Sequence, residues 1–305
     1  MGMMISETLS DTNWSIRCPL PESEVFLRDW ITEQAVSSPV NKAIESFSGR
    51  NCMDLGLKDL RALVTGGTKG IGRAIVETLI AEGCNVSFCA RSAYEVRQAS
   101  AALGDRGVEV RGHVMDVGDA TALKQWVGDS ASKLGGIDIV VANVSALAIG
   151  PGEKPWLQAF NIDMLGTVRL VEAALPHLER SKAGAIVTIS SVSGREIDFA
   201  AGSYGAMKAA LVHYTQGLAQ QLAPKKIRAN SVSPGNTYFP GGVWEQIEHS
   251  NPTMFKAAMA MNPMGRMGKP DEIARSVAFL ASPASSFTSG TNLVVDGALT
   301  KGVQL

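Results

Sequence analysis

From Arg61 onward the chain alternates between two hydrophobic rhythms. Arg61–Thr65, Asn85–Arg91, Val108–Met115, Ile137–Val141 and Ala185–Ile189 are short runs carrying Val, Ile, Leu, Ala and Phe. Arg228–Gly235 has the same length and ends in a Pro-Gly pair. Such runs read as strands. Between them lie longer stretches at helical spacing. Ile71, Ala74, Ile75, Leu79 and Ile80 share one side, and the segment Ser203–Leu222 carries Ala209, Leu211, Val212, Leu218 and Leu222. Strands that alternate with amphipathic helices predict an α/β fold. Its sheet is parallel and doubly wound, with helices on both faces.

At 305 residues the chain allows one or two domains. Hydrophobic residues make up 45% and charged residues 19%, which is ordinary for a globular protein. The net charge of −1 gives no basic surface for nucleic acid or an anionic membrane. No apolar run reaches the ~18 residues that a membrane-spanning helix needs. Cys18, Cys52, Cys84 and Cys89 show no paired spacing, which suits a thiol-reducing cytoplasm. His113, His177, His213 and His249 are scattered, and none pairs with another ligand at metal spacing. Residues 1–52 differ from the rest. Val25, Phe26, Leu27, Trp30 and Ile31 suit one side of a short amphipathic helix, and Glu22, Glu24, Asp29 and Glu33 argue against a targeting peptide. Two readings of this extension stay open: upstream sequence without a packed role, or an arm that binds a partner or braces subunits.

The first run leads directly into Gly66-Gly67-Thr68-Lys69-Gly70-Ile71-Gly72. Strand, glycine turn and helix together make a phosphate cradle, because glycines let a pyrophosphate approach the backbone at a helix N-terminus. The spacing G-x-x-x-G-x-G departs from the common dinucleotide fingerprint. The second run ends in Ala90-Arg91-Ser92, where an NAD site usually has an acidic residue for the ribose. Arg91 and Lys69, with no carboxylate on that strand, suit a 2′-phosphate and predict NADP(H) rather than NAD(H). Asp116, after the third run, suits either an acceptor for the adenine amino group or a cap for the next helix.

Tyr204 and Lys208 are four residues apart, so a helix puts them on one face. An ammonium ~6 Å from the phenol favours its ionised form by roughly 3 kcal/mol at an effective dielectric of ~20. Ser191 lies thirteen residues upstream of Tyr204, just past a predicted strand. A serine, a tyrosine and a lysine so spaced can bind and protonate a carbonyl oxygen without a metal.

Together these motifs resemble the classical short-chain dehydrogenase/reductases. The resemblance runs from about Met53 to the C-terminus. It rests on Thr65-Gly66-x-x-x-Gly70-Ile71-Gly72, on Ser191, Tyr204 and Lys208, and on Arg228-Ala229-Asn230-Ser231-Val232-Ser233-Pro234-Gly235. It extends through Asn262–Ala274 to the closing Val295-Asp296-Gly297. It implies a single Rossmann-type domain over 53–305, with a lid near 236–261 and an uncertain role for 1–52. It implies ketone–alcohol chemistry, with Ser191 holding the substrate oxygen, Tyr204 exchanging its proton and Lys208 supporting Tyr204. The cofactor would be held by Gly66, Thr68, Lys69, Gly70, Ile71 and Gly72. Arg91, Ser92, Asp116, Val117, Asn143, Tyr204, Lys208, Pro234, Gly235 and Thr237 would complete that site. A homotetramer, or else a dimer, is implied across the Tyr204 helix and the helix before it.

Two positions depart from the family pattern. Ala142-Asn143-Val144-Ser145 stands where Asn-Asn-Ala-Gly is usual, and Asp163 stands where the fourth active-site member is usually asparagine. A carboxylate there either opposes the pull of Lys208 on Tyr204, or is neutralised and behaves like asparagine. The lid carries Tyr238, Phe239, Trp244, Met254, Phe255, Met259 and Met261, with Ile197 and Phe199 expected to face the same pocket. These residues suit a bulky apolar or cyclic substrate, or a lid packed on itself. An acyl-carrier-protein reductase is the alternative, with Lys182 and Lys225 facing the acidic carrier. A non-catalytic protein that senses the cofactor is a remote third reading.

Overall fold

The structure, a computed structural model, describes residues 54–104 and 106–303. The helix read within 1–52 lies outside the described residues. The elements run β1 (Arg61–Thr65), α1 (Gly70–Ala81), β2 (Asn85–Ala90), α2 (Ala93–Leu103), β3 (Val110–Val114), α3 (Ala120–Leu134) and β4 (Ile139–Ala142). The second half runs α4 (Glu153–Ala159), a π-helical turn (Phe160–Leu165), α5 (Gly166–Leu178), β5 (Ala185–Ile189), α6 (Ser203–Leu222) and β6 (Arg228–Pro234). It closes with α7 (Val243–Ser250), α8 (Pro252–Ala260), α9 (Pro270–Ala281) and β7 (Asn292–Val295).

The strands form one sheet in the order β3-β2-β1-β4-β5-β6-β7, and every neighbouring pair is parallel. The alternating orientation of successive side chains, with a core on each face, explains why the central strands β1, β4 and β5 are mostly apolar. Ala62 and Val64 of β1 point into one core while Leu63 points into the other. In β4, Ile139 and Val141 join the first core, and Val140 and Ala142 join the second. Ile75 and Leu79 of α1 and Val277 of α9 cover the first face. Leu123 of α3, Leu170 of α5 and Leu218 of α6 cover the second. On α6, Leu211, Leu218 and Leu222 are buried within the subunit, leaving Ala209 exposed and Val212 half-buried. Trp156, Leu157 and Phe160, on the preceding helical segment, are exposed.

Strand order reverses between β1 and β4. Connections leave these two strands on opposite sides, so their carboxyl ends open a crevice, the usual ligand site in such sheets. Thr65-Gly66 and Ala142-Asn143 form its edges.

Candidate active site

The crevice is a cavity of about 480 Å³. It brings together every residue the sequence nominates for cofactor or catalysis except Gly70 and Asp163, which are not among its lining residues. The glycine turn is held by backbone and by one side chain. Gly66 and Gly67 donate their N–H groups to the Cys89 carbonyl at 2.8 and 3.2 Å. Asn143 donates Nδ2 to the Thr65 carbonyl at 2.9 Å, and its own N–H goes to Thr65 Oγ1 at 3.0 Å. Asn143 thus ties the end of β4 to the turn, with Val144 and Ser145 accommodated beside it. A Cβ at Gly72 would overlap the Gly66 carbonyl oxygen, so the turn closes only around glycine.

The same turn fits a dinucleotide. Lys69 stands at the N-cap of α1 with no side-chain cap, and the first turn of the helix holds no acidic residue. Its free N–H groups and the positive end of the helix dipole suit a pyrophosphate. Gly66 and Gly70 take φ of +73° and +54°, conformations that favour glycine. A Cβ at Gly70 would strike the ring of Phe239, which reaches across from the lid.

At the ribose end, Arg91 is exposed on the cavity rim and has no carboxylate within ion-pair distance among the described residues. Lys69 does have a partner. Glu95 Oε1 lies 3.7 Å from Lys69 Nζ, and Glu95 Oε2 accepts from Thr68 Oγ1 at 3.0 Å. The sequence reading missed this carboxylate, which reaches the site from the first turn of α2. Ser92 Oγ caps α2 by accepting from the Glu95 N–H at 3.2 Å. Asp116 does not cap α3, because Asp119 accepts from Thr121 and Ala122 at that helix start. Asp116 instead accepts from the Gly118 N–H at 2.8 Å and lines the cavity beside Val117.

The opposite wall is built by β5 and α6. Gly205 lets the two segments meet, since a Cβ there would stand 2.8 Å from the Ser193 carbonyl oxygen. Ser191, at the end of β5, accepts from the Ser193 N–H at 3.1 Å and donates to Ser193 Oγ at 3.2 Å. Tyr204, in the first turn of α6, lines the cavity half-buried. Lys208 is only 2% exposed, and its Nζ lies 5.6 Å from the centre of the Tyr204 ring. Pro234, Gly235 and Thr237, at the end of β6, line the cavity as well. Thr237 Oγ1 donates to the Gly235 carbonyl at 3.0 Å, which fixes that turn.

Asp163 sits in the π-helical turn and is 1% exposed. π-turns often mark functional positions. Its Oδ2 accepts from the Ala146 N–H at 2.8 Å, and its Oδ1 faces Lys208 Nζ at 3.3 Å. The angle is too oblique for a hydrogen bond, which leaves Oδ1 without a bonded partner. The contact is therefore an ion pair without a well-directed bond. Lys208 Nζ donates a hydrogen bond instead to the Ile189 carbonyl at 3.0 Å.

The lid divides its aromatic and sulfur side chains. Phe239, Val243 and Trp244 line the cavity, and Trp244 meets Phe199 edge-on at 5.5 Å. Tyr238, Phe255 and Met259 instead pack around Trp244, Ala258 and Met267 in a core of the lid's own. Tyr238 also donates to Glu248 at 2.6 Å. Met261 is exposed, and Ile197, expected in the pocket, points away from it at 91% exposure. Two polar residues unseen in the sequence reading, Ser193 and Asp198, line the cavity next to Ser191.

The chain is similar to known proteins over most of its length. A family model described as enoyl-(acyl carrier protein) reductase matches residues 66–300. The chain is similar to isoepoxydon dehydrogenase of Penicillium expansum, with 40% identity over 254 residues covering 82% of this chain and 98% of that enzyme. It is similar to a chloroplastic tropinone reductase homologue of Arabidopsis thaliana, with 37% identity over 250 residues covering 80% and 76%. Among solved structures, an NADPH-bound short-chain oxidoreductase of Pseudomonas aeruginosa PAO1 with an atypical catalytic centre superposes at a TM-score of 0.75. It is 30% identical and covers 80% of this chain and 98% of its own. A short-chain dehydrogenase of Burkholderia cenocepacia J2315 in complex with NADP gives 0.74 at 30% identity, covering 80% and 99%. By sequence, sheet order and site architecture, the chain belongs to the classical short-chain dehydrogenase/reductase family and is an oxidoreductase acting on CH–OH groups.

Proposed function

We propose that the protein interconverts a ketone and a secondary alcohol on a bulky apolar or cyclic substrate, and that it prefers NADP(H) to NAD(H). The observation that carries this reading is one cavity wall bearing Ser191, Tyr204 and Lys208, facing a glycine cradle rimmed by Arg91. The nicotinamide cofactor supplies the hydride in reduction and takes it up in oxidation. Ser191 and Tyr204 hold the substrate oxygen. Tyr204 gives that oxygen a proton in reduction and removes one in oxidation. Lys208, its Nζ 5.6 Å from the centre of the Tyr204 ring, is held in place by the Ile189 carbonyl and Asp163. Leu147, Ile149, Phe199, Val243 and Trp244 give the substrate half an apolar lining suited to a ring. The relatives named above, a dehydrogenase and a reductase homologue, support this reaction class, and the NADPH- and NADP-bound neighbours support the cofactor.

The test is a screen of cyclic ketones, steroids, acyl thioesters and sugars with both cofactors, followed by absorbance of the reduced nicotinamide. Tyr204→Phe should abolish turnover while cofactor affinity stays near wild type, and Ser191→Ala should lose a smaller but large factor. Near-normal turnover in Tyr204→Phe would remove that residue from the mechanism.

An acyl-carrier-protein reductase is the second reading, favoured by the description of the matching family model. Its basic docking surface is weakened because Lys225 is already paired with Glu179 at 2.6 Å, which leaves Lys182. Turnover of acyl thioesters alone in the screen would select it. We further propose a cytoplasmic homotetramer. The exposed Trp156, Leu157 and Phe160 beside α6 support the assembly. A monomeric mass by light scattering at micromolar concentration would refute it.

A further inference from the structure

One acidic side chain stands beside the Ser191–Tyr204 wall with no part in the proton transfer described above. Asp198 lies in the loop between β5 and α6 and lines the cavity together with Ser193, Phe199 and Ala200. Its Oδ2 accepts from Ser193 Oγ at 2.6 Å, and its Oδ1 accepts from the Ala200 N–H at 2.8 Å. Among the described residues, no cationic side chain lies within ion-pair distance of it.

A carboxylate accepts at about four positions, and two are filled here. Ser193 has one hydroxyl proton and directs it to Asp198. The Ser193 oxygen can therefore only accept, and it does so from Ser191 Oγ at 3.2 Å. This stretch of wall, one hydroxyl away from the group that holds the reacting oxygen, presents acceptors and no side-chain donor. Of the surrounding side chains, Leu147, Ile149, Phe199 and Val243 carry no polar atom, and Trp244 carries only its indole N–H. Once a substrate displaces solvent, an acceptor left unfilled in such a pocket is costly. A plain ketone brings no donor to fill it. An ammonium would, but it would have to shed its hydration against an apolar lining. A neutral hydroxyl brings the donor at lower cost.

We propose that Asp198 is a specificity-determining residue that accepts a hydrogen bond from a hydroxyl carried next to the reacting carbon. The substrate class is then a ring ketone with an adjacent hydroxyl, or the corresponding diol in the oxidative direction. The proposal rests on the ketone–alcohol reading above and narrows its substrate.

The experiment compares the full-length enzyme with its Asp198→Asn and Asp198→Ala variants under saturating NADPH. The ketones are 2-hydroxycyclohexanone, cyclohexanone and the cationic ring ketone 3-quinuclidinone. In the wild type, kcat/KM for the hydroxyketone should exceed that for cyclohexanone by about ten- to a hundredfold, the effect of one hydrogen bond to a charged group. Asp198→Asn, which keeps an acceptor oxygen, should retain part of that ratio, and Asp198→Ala should bring it to about one. Equal loss for both ketones in the variants would mean that Asp198 only braces the loop, and would overturn the proposal. Preference of the wild type for 3-quinuclidinone over the hydroxyketone would overturn it too. A wild type that reduces hydroxyketone and cyclohexanone equally well refutes the role of Asp198 alone, whereas failure to reduce any of the three refutes the ketone reading beneath it.

Discussion

Replacing Asp163 with asparagine preserves the side chain's shape and removes one charge from a place that solvent does not reach. Asp163 and Lys208 are 1% and 2% exposed, with Oδ1 and Nζ 3.3 Å apart. Two unit charges at that distance attract by about 5 kcal/mol at an effective dielectric of ~20. Desolvation of both groups offsets part of this, yet removing one partner of a buried pair still costs about 3 kcal/mol, because the other charge is stranded. An asparagine that keeps accepting from the Ala146 N–H turns its amide group towards the ammonium, donor against donor. Lys208 then keeps its bond to the Ile189 carbonyl but loses its counter-charge. For a protein of this size, about 3 kcal/mol corresponds to a fall in melting temperature of roughly 6 to 12 °C. Thermal melts of both proteins measure this loss. An unchanged melting temperature would refute the ion-pair reasoning. An inactive but folded variant would give the carboxylate a part in the chemistry itself.

Arg91→Ala should weaken NADP(H) by about ten- to a hundredfold and barely affect NAD(H), as expected for loss of one hydrogen bond to a charged group; cofactor titration followed by fluorescence decides it, and equal losses for both cofactors would refute the preference. Glu95→Gln should tighten NADP(H) only a few-fold, since the Lys69–Glu95 contact is largely exposed and such pairs contribute less than about 1 kcal/mol; a looser fit would mean that Glu95 orders the loop through Thr68. Burial alone would push the Asp138 carboxyl up, but hydrogen bonds from Arg61 and Ser181 overcome this and hold it below the usual carboxylate range. Because its folded-state value is depressed, Asp138 contributes stability above the unfolded-chain value and loses it as pH falls through the folded one. Asp138→Asn should therefore lower stability at neutral pH, with the gap to wild type narrowing in acid; urea unfolding at both pH values tests this, and a constant gap would refute it.

Strand β1, strand β5 and helix α6 begin and end where the hydrophobic pattern puts them. β1 and β5 feed both cores with alternate residues, so each position carries an apolar signal that needs no knowledge of its neighbours. The edge strand β3 is shorter than the run Val108–Met115, because its ends are set by its pairing with β2 alone. The glycine cradle was legible for a similar reason: spacing along a strand, turn and helix is local geometry, and Gly72 is required by its own turn. The Ser191, Tyr204 and Lys208 pattern was legible through one helix face and one strand end. Tertiary structure alone decided which charges meet. Glu95 reaches Lys69 because α2 folds back over the glycine turn, Asp163 reaches Lys208 because a π-turn presents it to α6, and Asp198 joins Ser191 through Ser193. None of these contacts has a periodicity or a fixed spacing in the chain. Each depends on how two separately formed elements pack. The division follows from range: backbone conformation and burial pattern are written residue by residue, whereas the electrostatics of the site arise only once distant segments share one desolvated space.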